Sequence, residues 1–185
     1  ASKTSSAKGI EKGEVLGGLD AFIRKSGDLK GAVDMLDEMS NIAAMTGANM
    51  EDLGNTAGDA FNKIGNAEGT IKALRALGGQ ARTGAIDIRE LGEYGPRLTG
   101  AALSFKGDVA ENIGSMGALA QIAVKRGGAN SARIATQAVS ALSEVLGGKA
   151  KEVAAASGGK QVWSDKSHTQ FRPVQDILMD FVVAQ

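Results

Sequence analysis

An all-α fold is predicted for this sequence: Gly-interrupted amphipathic helices packed as an irregular helical bundle. Three observations predict it. Apolar residues recur three or four apart through most of the chain, the spacing of one helical face. Polar capping residues and glycines bracket those runs where helices begin and end. The alternation a strand needs occurs only briefly, at Ile86-Asp87-Ile88.

Residues 1–27 are expected to form an N-terminal arm or helix, and 28–148 a helical core domain. After an Asp28 cap, Leu29, Val33, Leu36, Met39 and Ala43 make one stripe. Asn49 can cap the next helix, whose stripe is Met50, Leu53, Ala57, Ala60, Phe61 and Ile64, with Asp52 at the place of a capping-box carboxylate. Ile71, Leu74 and Leu77 follow, ended by Gly78-Gly79. A short helix from Ile86 to Tyr94 is closed by Gly95-Pro96, because proline cannot simply continue a helix. From Asp108, the residues Val109, Ile113, Met116, Ala120 and Ala123/Val124 share a face, stopped at Gly127-Gly128. From Asn130 or Ser131, a helix with Ala135, Ala138/Val139, Leu142 and Val145/Leu146 inside ends at Gly147-Gly148. Leu53, Phe61, Ile113, Met116 and Leu142 are the expected core. Residues 149–172 are expected to be a linker, polar and patternless between Ser157 and Gln170. A C-terminal amphipathic helix, 173–185, begins at Pro173 and carries Val174, Ile177, Leu178 and Phe181.

Glycine-glycine pairs at 17–18, 78–79, 127–128, 147–148 and 158–159 read as hinges between helices, too unevenly spaced for a regular solenoid. The Gly-x-x-x-Gly pairs 13/17, 27/31, 54/58 and 65/69 have the spacing that lets two helix backbones approach closely, but in a chain this rich in glycine several such matches arise by chance.

The composition narrows the chemistry. The 26 glycines and 30 alanines make 56 of 185 residues nearly devoid of side chain, so the core must be thin. Without cysteine there is no disulfide framework and no thiolate zinc site. One histidine leaves no His-pair metal site. Twenty-one cationic residues balance 21 acidic ones, so no electrostatic footprint for nucleic acid is present. The series Lys72, Arg75, Arg82, Arg89 and Arg97 is interleaved with acids and lacks stacking aromatics. A phosphate-binding P-loop is missing, since Gly148-Lys149 is followed by Ala150 and Gly159-Lys160 by Gln161. The pairs Asp34/Glu38, Glu51/Asp52 and Glu90/Glu93 read as solvated helix faces. Ser164, Asp165 and His168 lie close in sequence, but a polar linker offers no scaffold to position a triad. No catalytic, cofactor or metal site is expected, and the chain is read as a non-enzyme. Trp163, Val174, Ile177, Leu178 and Phe181 are the candidate contacts with a partner or a second copy. The narrow stripes and small-residue content lead to the expectation of a homo-oligomer, threefold or sixfold, with the final helix docked on a neighbouring copy or another partner instead of its own domain.

The wording of the middle segment carries a resemblance. Met45-Thr46-Gly47-Ala48-Asn49-Met50-Glu51-Asp52-Leu53 runs into a helix ending at Ile64-Gly65. Ala76-Leu77-Gly78-Gly79-Gln80-Ala81-Arg82-Thr83-Gly84-Ala85-Ile86-Asp87-Ile88-Arg89-Glu90-Leu91 follows, then Tyr94-Gly95-Pro96-Arg97-Leu98. Ala120-Gln121-Ile122-Ala123 leads to Arg126-Gly127-Gly128-Ala129-Asn130 and Ala135-Thr136-Gln137-Ala138-Val139-Ser140-Ala141-Leu142. Together, 45–146 resembles the core region of tailed-phage tape measure proteins, also called minor tail proteins.

The resemblance implies a long, mostly helical structural protein of the virion tail, present in the host cytoplasm during assembly. Such proteins set tail length, occupy the tail tube as oligomers and leave it during DNA delivery. It implies tail tube and distal tail or baseplate partners, transient membrane contact during ejection, no specific nucleic-acid binding and no catalytic residues in this region. At about 1.5 Å per residue, 185 helical residues span roughly 280 Å. That is too short for the ruler of a long tail, so a globular portion of a longer chain is expected. Two other classes are open: a helical secreted or translocated protein binding a partner through an exposed apolar stripe, and a small enzyme with an unfamiliar site.

Overall fold

In a computed structural model that describes residues 9–184, the chain is all-α. Among the described residues ten helices run in order: α1 Lys12–Ser26, α2 Leu29–Thr46, α3 Met50–Ile64, α4 Ala67–Thr83, α5 Ile88–Ala102, α6 Val109–Lys125, α7 Ala132–Ser140, α8 Leu142–Gly148, α9 Ala150–Ala156 and α10 Val174–Val183. Among the described residues there are isolated bridges only, Phe105 with Phe171 and Trp163 with Phe171.

Six of the described helices begin where short polar side chains take up free backbone N–H groups. Asp28 accepts from Gly31 N, Asn49 from Glu51 N, and Asn66 from Gly69 N. Asp87 and Glu90 form a reciprocal capping box, Asp108 accepts from Ala110 N and Glu111 N, and Ser131 accepts from Ile134 N. At the other ends, Gly47 (φ 72°) and Gly65 (φ 82°) close α2 and α3 in the left-handed region, where a Cβ is disfavoured.

Helices two apart in sequence pack side by side. α1, α3, α5 and α7 form one row and α2, α4 and α6 another, with successive helices crossing between them. The core lies between the rows: Phe22, Met35, Met39, Ile42, Met50, Leu53, Leu74, Leu77, Leu91, Leu98, Ile113 and Met116 are all buried. Of the expected core, Leu53, Ile113 and Met116 are fully buried, while Phe61 and Leu142 are half-buried against it. Phe61 meets Phe22 edge-on at 5.4 Å. Phe61→Ala should cost about 2 kcal/mol, less than a fully buried ring, because part of its surface already faces water. An unchanged midpoint in thermal unfolding would show that the Phe22 contact contributes nothing.

Several local expectations are corrected. On α2 the inward face is Ala32, Met35, Leu36, Met39, Ile42 and Ala43, so Leu29 and Val33 point outward. Gly17-Gly18 and Gly78-Gly79 are not hinges, since both lie within helices. A Cβ at Gly18 would come within 2.7 Å of Met50 O, and one at Gly78 within 3.1 Å of Ile42 Cγ2, so these glycines admit a neighbouring helix. Of the four Gly-x-x-x-Gly pairs, only Gly54/Gly58 has both members pressed against another helix, α1. Pro96 does not close its helix; α5 continues to Ala102. One backbone hydrogen bond is lost there, and the burial of Leu98, Ala101 and Ala102 beyond it offsets that loss. The helix expected from Ser131 to Leu146 breaks at Ala141 into α7 and α8.

The segment 149–172 is not a free linker. It holds α9 and then folds back over the end of α5. Lys106 N donates to Phe171 O, Phe171 N to Ser104 O, and Arg172 N to Val162 O. Val162 and Phe171 are buried. Beyond it, α10 docks on α6 of its own chain, which corrects the expectation that this helix packs on a neighbouring copy in place of its own domain.

Candidate functional site

Ser164, Asp165 and His168 each have a structural occupation. Ser164 Oγ donates to Gln170 O at 2.8 Å. The Asp165 carboxylate accepts from Thr169 Oγ1 at 2.6 Å and from Thr169 N, and these hydrogen bonds hold its pKa below the ordinary value. His168 is stacked on Trp163, with ring centroids 5.0 Å apart. Ser164, Asp165 and His168 therefore form no nucleophile–base–acid chain.

Four of the six paired carboxylates are likewise engaged. Asp34 takes Lys30 at 2.6 Å, and Glu38 takes Arg75 of α4 at 2.8 Å. Glu51 takes Arg24 of α1, and Glu90 belongs to the α5 capping box. Lys72 bridges Asp108 and Glu111 of α6 at 2.9 and 2.8 Å, which accounts for the basic residues at 72 and 75 as helix-to-helix ties. No group of three metal-ligating side chains occurs among the described residues. Asp52 stands in a groove with Lys25, Asn55, Asp59, Arg89 and Glu93. Its carboxyl is raised, first by burial and then by neighbouring Glu51, with Arg89 opposing.

Of the candidate contact residues, Val174 and Ile177 are buried in the chain's own core and are not available to a partner. Phe181 is half-buried against that core. Leu178 is exposed, and with it Met179, Val182 and Val183, so the outward apolar face of α10 lies towards its C-terminal end. Trp163 anchors intramolecularly: it stacks on Phe171 at 4.3 Å, and Phe171 in turn meets Phe105 at 5.4 Å.

A second device holds α10, and sequence reasoning missed it. Asp180 is buried, with Lys160 Nζ 2.6 Å from Oδ1 and Arg172 Nη1 2.7 Å from Oδ2. Its partners lie 20 and 8 residues away, so no local pattern announces the clasp. Hydrogen bonds from Lys160, then Arg172, hold its carboxyl below the ordinary range. A depressed folded-state pKa contributes stability above the unfolded value and loses it as pH falls through the folded value. Asp180→Asn should speed amide exchange across 174–183 and remove this part of the acid sensitivity below the ordinary carboxylate pKa. Unchanged exchange would show that Val174 and Ile177 suffice to hold the helix.

An open cleft of about 710 Å³ lies beside α9, lined among others by Gly148, Lys149, Lys151, Glu152, Trp163 and His168. No helix among the described residues is long and apolar enough to cross a membrane. No protein-family model matches the chain, and neither a curated protein nor a solved structure shows significant similarity to it.

Proposed function

We propose that the chain is a portion of a tail tape measure protein of a tailed bacteriophage. It is a structural virion component that helps set tail length, fills the tail tube or tip and is released during DNA delivery. The observation that carries this reading is the wording of residues 45–146, from Met45-Thr46-Gly47 to Ala141-Leu142. A structural role is supported by the way charged groups in this segment tie helix to helix, as Lys72 and Arg75 do. It is supported also by glycine-mediated helix contact at Gly54 and Gly58. Contacts with further copies or with tail proteins then fall to Leu178 and its exposed neighbours Met179, Val182 and Val183.

Antibody raised against 45–146 should decorate the tails of intact particles in electron micrographs. An in-frame deletion of that segment should give particles without tails or with tails of altered length. Label found only on solitary, monomeric protein outside any tail-like assembly would overturn the proposal and favour a helical partner-binding protein.

A further inference from the structure

We propose that the open cleft beside α9 binds a planar ring carrying a negative charge, a ligand of mononucleotide size. The site lies outside 45–146, so it stands or falls separately from the tape measure reading. Its volume of about 710 Å³ falls within the range of small-molecule sites.

An aromatic series selects the ring half of the ligand. Phe105, Phe171 and Trp163 follow one another from the core outward, and His168 is the exposed terminal member. His168 is also the one non-glycine described residue with positive φ, at 56°. A side-chain-bearing residue in that region is uncommon, and such outliers concentrate at binding sites. The left-handed backbone sets the imidazole against Trp163 on the cleft wall, where a flat ring can extend the series.

The lysines of the lining select the charged half. Lys149 and Lys151 line the cleft against a single carboxylate, Glu152. Neither lysine makes an ion pair among the described residues, whereas Lys30, Lys72, Arg75, Lys160 and Arg172 all do. Gly148 and Gly159 form part of the lining, and a Cβ at either would meet nothing within 4 Å. The lining thus combines glycine backbone, two lysines without ion pairs and a stacked aromatic pair. That suits a phosphate-bearing aromatic better than an apolar or cationic ligand.

Trp163 is the single tryptophan of the chain, so its fluorescence reports the cleft directly. Adenosine 5′-monophosphate added to the full chain should quench it saturably. Gly148→Leu places a side chain in the open space and should abolish the response without disturbing packing. Lys149→Ala combined with Lys151→Ala should weaken binding at least about tenfold. His168→Ala should weaken it too, and His168→Phe should retain it. Circular dichroism and the thermal midpoint should stay unchanged in all four. Absence of a saturable response, or one that survives in Gly148→Leu, overturns the site. Adenosine alone or inorganic phosphate alone binding as tightly as the monophosphate overturns the assignment of a ring joined to an anion.

Discussion

Gly54→Val should lower the stability of the chain by about 3 kcal/mol and its thermal midpoint by roughly 6–12 °C. The α1–α3 crossing is the most extensive helix pair of the fold, and it is closed by three glycines. A Cβ at Gly54 would overlap the carbonyl oxygen of Gly18 and stand 3.0 Å from Ala21 Cβ. One at Gly58 would come within 2.5 Å of Lys25 Cβ and 3.1 Å of Phe22 O. At Gly18 the obstacle is Met50 O, 2.7 Å away. At Gly18 and Gly54 the nearest obstructing atom is backbone, which cannot rotate aside, so α1 and α3 must separate. Val15, Ala21, Phe22, Leu53 and Ala57, fully buried on these two helices, then lose contacts. Gly79→Ala is the control. Nothing lies within 4 Å of its Cβ, and in mid-helix it should gain about 0.5–1 kcal/mol. Thermal unfolding of the two variants should move in opposite directions. An unchanged midpoint for Gly54→Val would mean that the crossing contributes little.

Those same glycines show what is legible in the sequence and what is not. Helix starts are local: a short polar side chain need reach only two or three residues on, so Asp28 and Asn49 read correctly as caps. A glycine pair is ambiguous, because the letter reports absent side chain and not its use. Gly127 (φ 76°) uses the freedom of its backbone, whereas Gly18 and Gly78 use the vacant space beside an ordinary helical backbone. Leu29 and Val33 fit the stripe of α2 by spacing, but Ala32 and Met35 face the neighbouring helices. With so many alanines, the inward face cannot be chosen by hydrophobicity alone. The 157–172 segment failed for a different reason. Its order comes from Phe171 meeting Phe105 and from Asp180 meeting Lys160, contacts between distant positions that leave no period to read. The cleft leaves no local signal for the same reason, since its lining joins 147–154 to 159–168.

Gln121→Ala should cost about 2–4 kcal/mol, because one amide satisfies both polar groups of a buried peptide position. Gln121 Oε1 accepts from Ile86 N at 2.7 Å, and Gln121 Nε2 donates to Ile86 O at 2.8 Å. The residue is buried on α6, and it fastens the turn between α4 and α5 directly ahead of the Asp87 cap. Gly84 passes so close that a Cβ there would fall on the Gln121 amide, so the turn is built around this side chain. Gln121→Met separates volume from hydrogen bonding: it refills the space and should still lose most of the same stability. Full stability in Gln121→Met would show that the side chain acts by packing alone. Gln121→Glu adds a dependence on pH. Its carboxylate can accept from Ile86 N–H but cannot donate to Ile86 O, and burial raises its pKa. The folded form then binds more protons than the unfolded one, so stability falls as pH rises through that raised value. Urea unfolding of Gln121→Glu should therefore show a higher midpoint at about pH 5 than at about pH 8, relative to the parent chain. Equal shifts at both would mean that the donor half of the amide is dispensable.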